Sequence, residues 1–219
     1  IRARSPSRGL GDVYKRQALE CLQDGQTRII EIDLDDEVLG VGMPCGGKME
    51  VYVEPFLPQP ELMLVGQGRI AELVAELGRL LHFRVTVNSP VATREDFPFA
   101  DQLITDDTDY QKINPGLNSY VIVLTQHKGD QQVIQAALRG TPRYIGLVAS
   151  AKRSRLVVEY LKEGGMDADA LRQVLRAPCG LDLGGRTPEE IALSIITEVV
   201  KLRHERTGLS MMEVKQCSI

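Results

Sequence analysis

The sequence predicts an α/β fold: a C-terminal parallel sheet with helices on both faces, preceded by a small α+β domain. Three observations predict it. From Glu61 onward, short apolar runs alternate with stretches of helical period. The run "SYVIVLT" is apolar without alternation, the pattern of a strand buried on both faces. Before Pro55, "TRIIEIDL" and "KMEVYVEP" do alternate, the pattern of strands with one wet face.

The elements follow in order. "ALECLQDGQ" reads as the end of a helix, with Ala18, Leu19 and Leu22 on one side and Gly25 after it. "TRIIEIDL" and "KMEVYVEP" are strands, the second with Met49, Val51 and Val53 on one face and Pro55 at its end. "FLPQP", residues 56–60, has two prolines and reads as a linker. "ELMLVGQG" is a strand ending in glycines. "RIAELVAELGRLL" is a helix with Ile70, Leu73, Val74, Leu77 and Leu81 on one face. "FRVTVNS", "DQLIT", "SYVIVLT" and "RYIGLVAS" are further strands. "DQQVIQAALRG", "AKRSRLVVEYLKEGG" and "DADALRQVLRAP" are helices, with Asp130 a candidate cap for the first. The helix of "TPEEIALSIITEVVKLRHER" is the clearest: Thr187 caps it, Pro188 takes the first helical position and Glu190 completes a capping box. It can pack on the sheet or on a second subunit, which leaves a homodimer open.

These elements divide the chain into a segment 1–17, a small domain 18–55, the linker, a sheet domain 61–207 and a tail 208–219. Residues 1–17 have no apolar periodicity, and "GLGDVYKRQ" resembles translated adaptor sequence from the ends of metagenomic reads. They are set aside, with the expectation that the natural chain begins further upstream.

Composition excludes several classes. The chain of 219 residues is 43% hydrophobic with a net charge of -4. Nucleic acid and anionic membranes reward clustered Lys and Arg, which argues against both as partners. No apolar run approaches the roughly 20 residues needed to span a bilayer. Cys21, Cys45, Cys179 and Cys217 form no CxxC pair, so neither a zinc framework nor a disulfide framework is expected, and a cytoplasmic location is.

Four motifs carry candidate chemistry. Gly66, Gly68 and Ala71 form a G-x-G-x-x-A between a strand and a helix, a Rossmann-type fingerprint. The first glycine permits the turn, the second lets backbone approach a pyrophosphate, and the alanine lets helix pack on strand. A turn that binds nothing would use the same glycines. The acidic ribose contact expected after the second strand of such a unit is replaced by Asn88 and Ser89. Arg94 nearby could accommodate a 2′-phosphate or be solvated. Ser150, Lys152 and Arg153 open a helix and suit an anion, or are ordinary surface. His127 has no carboxylate partner set by spacing. The segment with Gly180, Asp182 and Gly184 precedes the last helix and its free N–H groups; Cys179 reads as structural. Cys45, followed by Gly46 and Gly47 and close to Lys48, is a thiol open to approach or a small residue in a turn.

Taken together the motifs resemble the XdhC/CoxI family of accessory proteins for molybdenum hydroxylases. The resemblance rests on Cys45-Gly46-Gly47 before "EVYVEP", the G-x-G-x-x-A unit, Tyr144-Ile145-Gly146 with Ser150, and Pro178-x-Gly180-Leu181-Asp182-x-Gly184 followed by "TPEEIA". It covers residues 18–206. The family usually opens with a glycine-rich strand-turn segment not present here, so the resemblance implies truncation. It implies binding of molybdenum cofactor, in molybdopterin or nucleotide form, its sulfuration with a cysteine desulfurase, and its insertion into an apo molybdenum hydroxylase. It casts Cys45 as a thiol ligand or sulfur contact. Gly46, Gly47, Gly66, Gly68, Ala71, Ser150, Lys152, Arg153, Gly180, Asp182 and Gly184 become the cofactor-binding set. An NAD(P)-dependent oxidoreductase and a nucleotide-sensing module are the alternatives.

Overall fold

The computed structural model describes residues 16–21, 26–33, 48–55, 59–126 and 129–215. Cys45, Gly46, Gly47 and His127 lie outside them. The chain divides into two units, Ile1–Pro58 and Gln59–Ile219.

In the first unit residues 16–21 are helical. Strands β1 (Arg28–Asp33) and β2 (Lys48–Val53) pair antiparallel, with Ile30 opposite Val51 and Ile29 opposite Tyr52. The alternation in sequence becomes alternation in exposure: Ile30 is buried, while Ile29 and Tyr52 face out.

Among the described residues, the second unit holds six parallel strands: β3 (Glu61–Gly66), β4 (Arg84–Asn88), β5 (Gln102–Ile104), β6 (Ser119–Leu124), β7 (Tyr144–Leu147) and β8 (Leu175–Arg176). Their spatial order is β5-β4-β3-β6-β7-β8. The chain thus builds outward from β3 in one direction and then from β6 in the other, and the switch point lies between β3 and β6. Helices α1 (Arg69–Leu80), α2 (Asp130–Leu138), α3 (Ala151–Glu163), α4 (Ala168–Val174), α5 (Pro188–Arg203) and α6 (Met211–Val214) complete the unit.

Two cores sandwich the sheet. Leu62, Leu64, Tyr120 and Ile122 meet α1 and α5 on one face. Met63, Val65, Val121 and Val123 meet α2 and α3 on the other. This double burial is why β3 and β6 read as continuous apolar runs. Gly78 lets α1 lie close to β3: a Cβ there would stand 2.4 Å from Leu62 Cδ2. Phe83 meets Tyr120 edge to face at 5.6 Å, and the Arg203 guanidinium lies 5.2 Å from the Phe83 ring centre.

Two elements differ from the sequence reading. The helix expected over "DADALRQVLRAP" stops at Val174, because Leu175 and Arg176 pair with Ile145 and Gly146 as the edge strand β8. Sheet pairing captured residues whose period alone continued the helix. Asp130 is not the cap of α2; Gly129 is, with φ 95°, and Asp130 is the first helical residue. The capping box of α5 is present as expected.

Gly66 is constrained by tertiary contact. It has φ 128°, and a Cβ would stand 2.1 Å from the Leu124 carbonyl oxygen. Gly66→Ala should therefore cost at least about 2 kcal/mol, as backbone strain and overpacking combine; urea unfolding should show a lower midpoint with an unchanged slope. At α5, the N–H groups of Thr187 and Arg186, then the Thr187 hydroxyl, hold the Glu190 carboxyl below its ordinary range. A depressed carboxyl contributes stability above its unfolded value of about 4.3. That stability is lost as pH falls through the lower folded value. Glu190→Gln should flatten this part of the acid limb, read from thermal melts between pH 3 and 6, and Thr187→Ala should cost about 1 kcal/mol.

Candidate functional site

The carboxyl ends of β3, β4 and β6 surround an open crevice. Val65, Gly66, Gln67, Asn88, Ser89 and Tyr110 line one part of it, and Leu124, Thr125 and Gln126 close another. It occupies the switch point, where the strands on either side lead their chains away in opposite directions and leave a gap.

Gly68 is the N-cap of α1, with φ 100° and no side-chain cap. Above it the space is open: a Cβ would meet only the Gln126 Nε2, at 3.6 Å. The first-turn N–H groups of α1 therefore have no side chain in the capping position, next to the crevice that Gly66, Gln67 and Gln126 line. Ala71 is fully buried, where a larger residue would push α1 off the sheet. The two glycines thus differ in role. Gly66 yields to the Leu124 carbonyl, while Gly68 leaves room for something else.

Two buried carboxylates hold the crevice walls. Asp107, in the loop after β5, accepts from Asn88 Nδ2 at 2.7 Å and from the N–H groups of Gln111 and Lys112 at 2.7 and 3.1 Å. Asn88 stands where an acidic ribose contact would be, and its amide is committed to Asp107. This loop carries Tyr110, whose hydroxyl would lie 2.5 Å from a Cβ on Gly129. Glycine at 129 therefore makes room for the phenol. Burial, followed by the charges of Asp130 and Asp107, raises the Tyr110 pKa. The hydroxyl stays protonated and can donate.

Asp130 accepts from the Thr125 hydroxyl and from Arg153 Nε, the latter at 3.0 Å. It is 2% exposed. One carboxylate therefore ties together the loop after β6, the start of α2 and the start of α3. The sequence reading missed Asp107, Tyr110 and this linkage, because only the strand order brings these loops together.

The predicted residues fall into separate places. Gly66, Gly68 and Ala71 belong to the crevice turn. Ser150 caps α3 by accepting from the Arg153 N–H at 3.2 Å. Lys152 is exposed, and Arg153 shares its charge with Asp130. These three form a shallow recess with Leu156 that is distinct from the crevice. Arg94 donates to the Ala100 carbonyl instead of reaching the end of β4. Gly180 packs on α5, where a Cβ would meet Ser194 Oγ at 2.3 Å, and its N–H donates to Glu198 at 2.8 Å. Asp182 and Gly184 are exposed in the same connection. Glu198 also accepts from the Tyr144 hydroxyl at 2.6 Å. Although the Cys179 residue is partly exposed, its thiol is enclosed. Burial and then the Glu198 charge push it up to about 12.

A family model described as the XdhC Rossmann domain matches residues 62–199. An uncharacterized protein of Escherichia coli, YqeB, is 26% identical over 206 residues, covering 90% of this chain and 37% of its own length. A protein of Bacillus subtilis described as a probable xanthine dehydrogenase subunit is 29% identical over 163 residues, covering 70% of this chain and 46% of its own. The chain thus spans less than half the length of both relatives. The crystal structure of a xanthine dehydrogenase from Bacillus halodurans shares the fold, with a TM-score of 0.59 at 20% identity, over 96% of this chain and 70% of that one.

Asp130→Ala should cost about 2–3 kcal/mol, since it strands the partly buried Arg153 and Thr125. Lys152→Ala should stay within about 0.5 kcal/mol in the same denaturant titration. With Cys45 and Cys217 replaced by serine, a thiol reagent at pH 8 should label Cys179 only on unfolding. The raised thiol pKa also means that its contribution to stability is full below the unfolded value of about 8.5 and declines as pH rises toward the folded one.

Proposed function

The chain belongs to the XdhC family, and from that premise we propose that it is a maturation factor for molybdenum hydroxylases. It binds molybdenum cofactor and assists its sulfuration and insertion into an apo-enzyme of xanthine dehydrogenase or carbon monoxide dehydrogenase type. A cytoplasmic cysteine desulfurase is the matching sulfur donor. The observation that carries this reading is the open space at Gly68, beside the crevice at the switch point, in a domain of this family.

The residues fit the phosphorylated end of such a cofactor. Gly66 and Gly68 bring backbone N–H groups and the α1 terminus to the crevice, and no side chain occupies the cap. Gln126 and Ser89 offer neutral donors. Of the outlying residues, exposed Lys152, Asp182 and Gly184 would serve as contacts of the larger cofactor, while Ser150, Arg153 and Gly180 are committed within the scaffold. When bound, the cofactor supplies a molybdenum centre held by dithiolene sulfur. The soft metal end calls for a soft ligand, which Cys45 beside Gly46 and Gly47 would provide. Its place outside the described residues leaves that role to the family resemblance. Cys179 is a poor alternative, since its thiol is protonated at neutral pH.

The strand order and glycine turn also favour a second reading, a dinucleotide-binding oxidoreductase or sensor. The commitment of Asn88 to Asp107 weighs against it, because no charged acceptor is free at the ribose position.

Titration of the full-length protein with molybdenum cofactor, NADH and NADPH separates the two. The maturation role predicts cofactor binding and activation of apo-hydroxylase, with Cys45→Ala losing at least about tenfold in delivery, or about 1.4 kcal/mol. Delivery by Cys45→Ala at the wild-type rate would remove the thiol from the mechanism. Tight nicotinamide binding without cofactor binding would favour the oxidoreductase.

A further inference from the structure

We infer that Tyr110 determines specificity in the crevice: a planar nitrogen heterocycle carried by the phosphorylated ligand stacks against its ring, and the uncharged surface beside it selects ligands without a ribose 2′-phosphate. The inference rests on reading the crevice as the seat of the cofactor's phosphorylated end, and it assigns the opposite end.

Tyr110 is held in place from several directions. The loop that carries it is closed on Asp107 by the Gln111 and Lys112 N–H groups, and Asn88 anchors Asp107 to the end of β4. Arg139 donates to the Tyr110 carbonyl at 3.1 Å. Its φ of 57° is a conformation that an aromatic residue adopts only where the surroundings impose it. Gly129 clears space for the hydroxyl. The ring itself is half-buried and lines the crevice, as do Pro90 and Val91, the latter 58% exposed. An aromatic wall, an aliphatic wall and the polar edge of Ser89 make up the environment that a flat base with polar rim atoms requires.

Among the described residues that line the crevice, none is charged. Arg94 is turned to the Ala100 carbonyl. Both oxygens of Asp107 are occupied, and its negative charge lies directly behind Asn88. A dianionic 2′-phosphate would meet a buried carboxylate with no compensating cation among the described lining residues.

Calorimetric titration with three probes tests this: inorganic pyrophosphate, ADP-ribose and 2′-phospho-ADP-ribose. Wild type should bind ADP-ribose at least about tenfold more tightly than its 2′-phosphate. Tyr110→Leu should lose about tenfold toward ADP-ribose, the scale of one base stacking contact, yet keep pyrophosphate affinity within about twofold. Tyr110→Phe should stay within about threefold of wild type on all three probes, because stacking needs only the ring. Equal weakening of pyrophosphate and ADP-ribose by Tyr110→Leu would mean a purely structural role, and no weakening of either would mean none; each overturns the inference. Equal binding of the two ADP-riboses by wild type overturns it as well. Failure of wild type to bind any probe also overturns it, and molybdenum cofactor binding by the same preparation would then leave the maturation role standing.

Discussion

The approach of Gly66 to the Leu124 carbonyl is the contact on which the rest of the second unit depends. It brings the ends of β3 and β6 together at the one place in the sheet where strand order reverses. A side chain there would separate the strands, widen the switch point and displace the start of α1. With glycine, the turn stays tight and Gly68 can present the helix N-terminus to open space. Packing of the two central strands and access to the helix terminus are consequences of one missing Cβ.

Around that turn, the crevice is shaped by buried charge. Asp107 and Asp130 each sit almost out of contact with water, and each has several donors. Burial of a carboxylate is tolerated only when its lone pairs are occupied. The two therefore act as fasteners between loops: Asp107 joins the end of β4 to the loop that bears Tyr110, and Asp130 joins the loop after β6 to α2 and α3. The cost is that Asn88 and Arg153, polar groups of the kind that meet ligands directly, are spent on the scaffold. The described residues that face the crevice are uncharged.

A third fastener lies away from the crevice. Glu198 takes hydrogen bonds from Tyr144 and from the Gly180 backbone, and ties the long connection before α5 back to β7. The Cys179 thiol beside it is chemically quiet for the same reason: an enclosed site next to a carboxylate disfavours thiolate. Helix α5 then rests on α1 through the core of Ala192, Ile195, Ile196 and Val199, and Arg69 reaches Glu189 at 3.6 Å where the two helices begin.

Local physics made much of this legible from the sequence. Caps, helical period and double-faced apolar runs act over a few residues, so the α/β class, the glycine turn and the capping box at Thr187 and Glu190 could be read directly. The end of α4 could not, because Leu175 and Arg176 are drawn into the sheet by β7, some thirty residues earlier. Nor could the walls of the crevice. Asn88 meets Asp107 across 19 positions, and Arg153 meets Asp130 across 23. Such pairs leave no periodic mark, since they exist only once the strand order has set which loops are neighbours. The sequence by itself determined the elements and the turn that marks the crevice. The tertiary structure decided which polar residues stay free to meet a ligand, because buried carboxylates must first satisfy themselves with whatever donors the fold brings within reach.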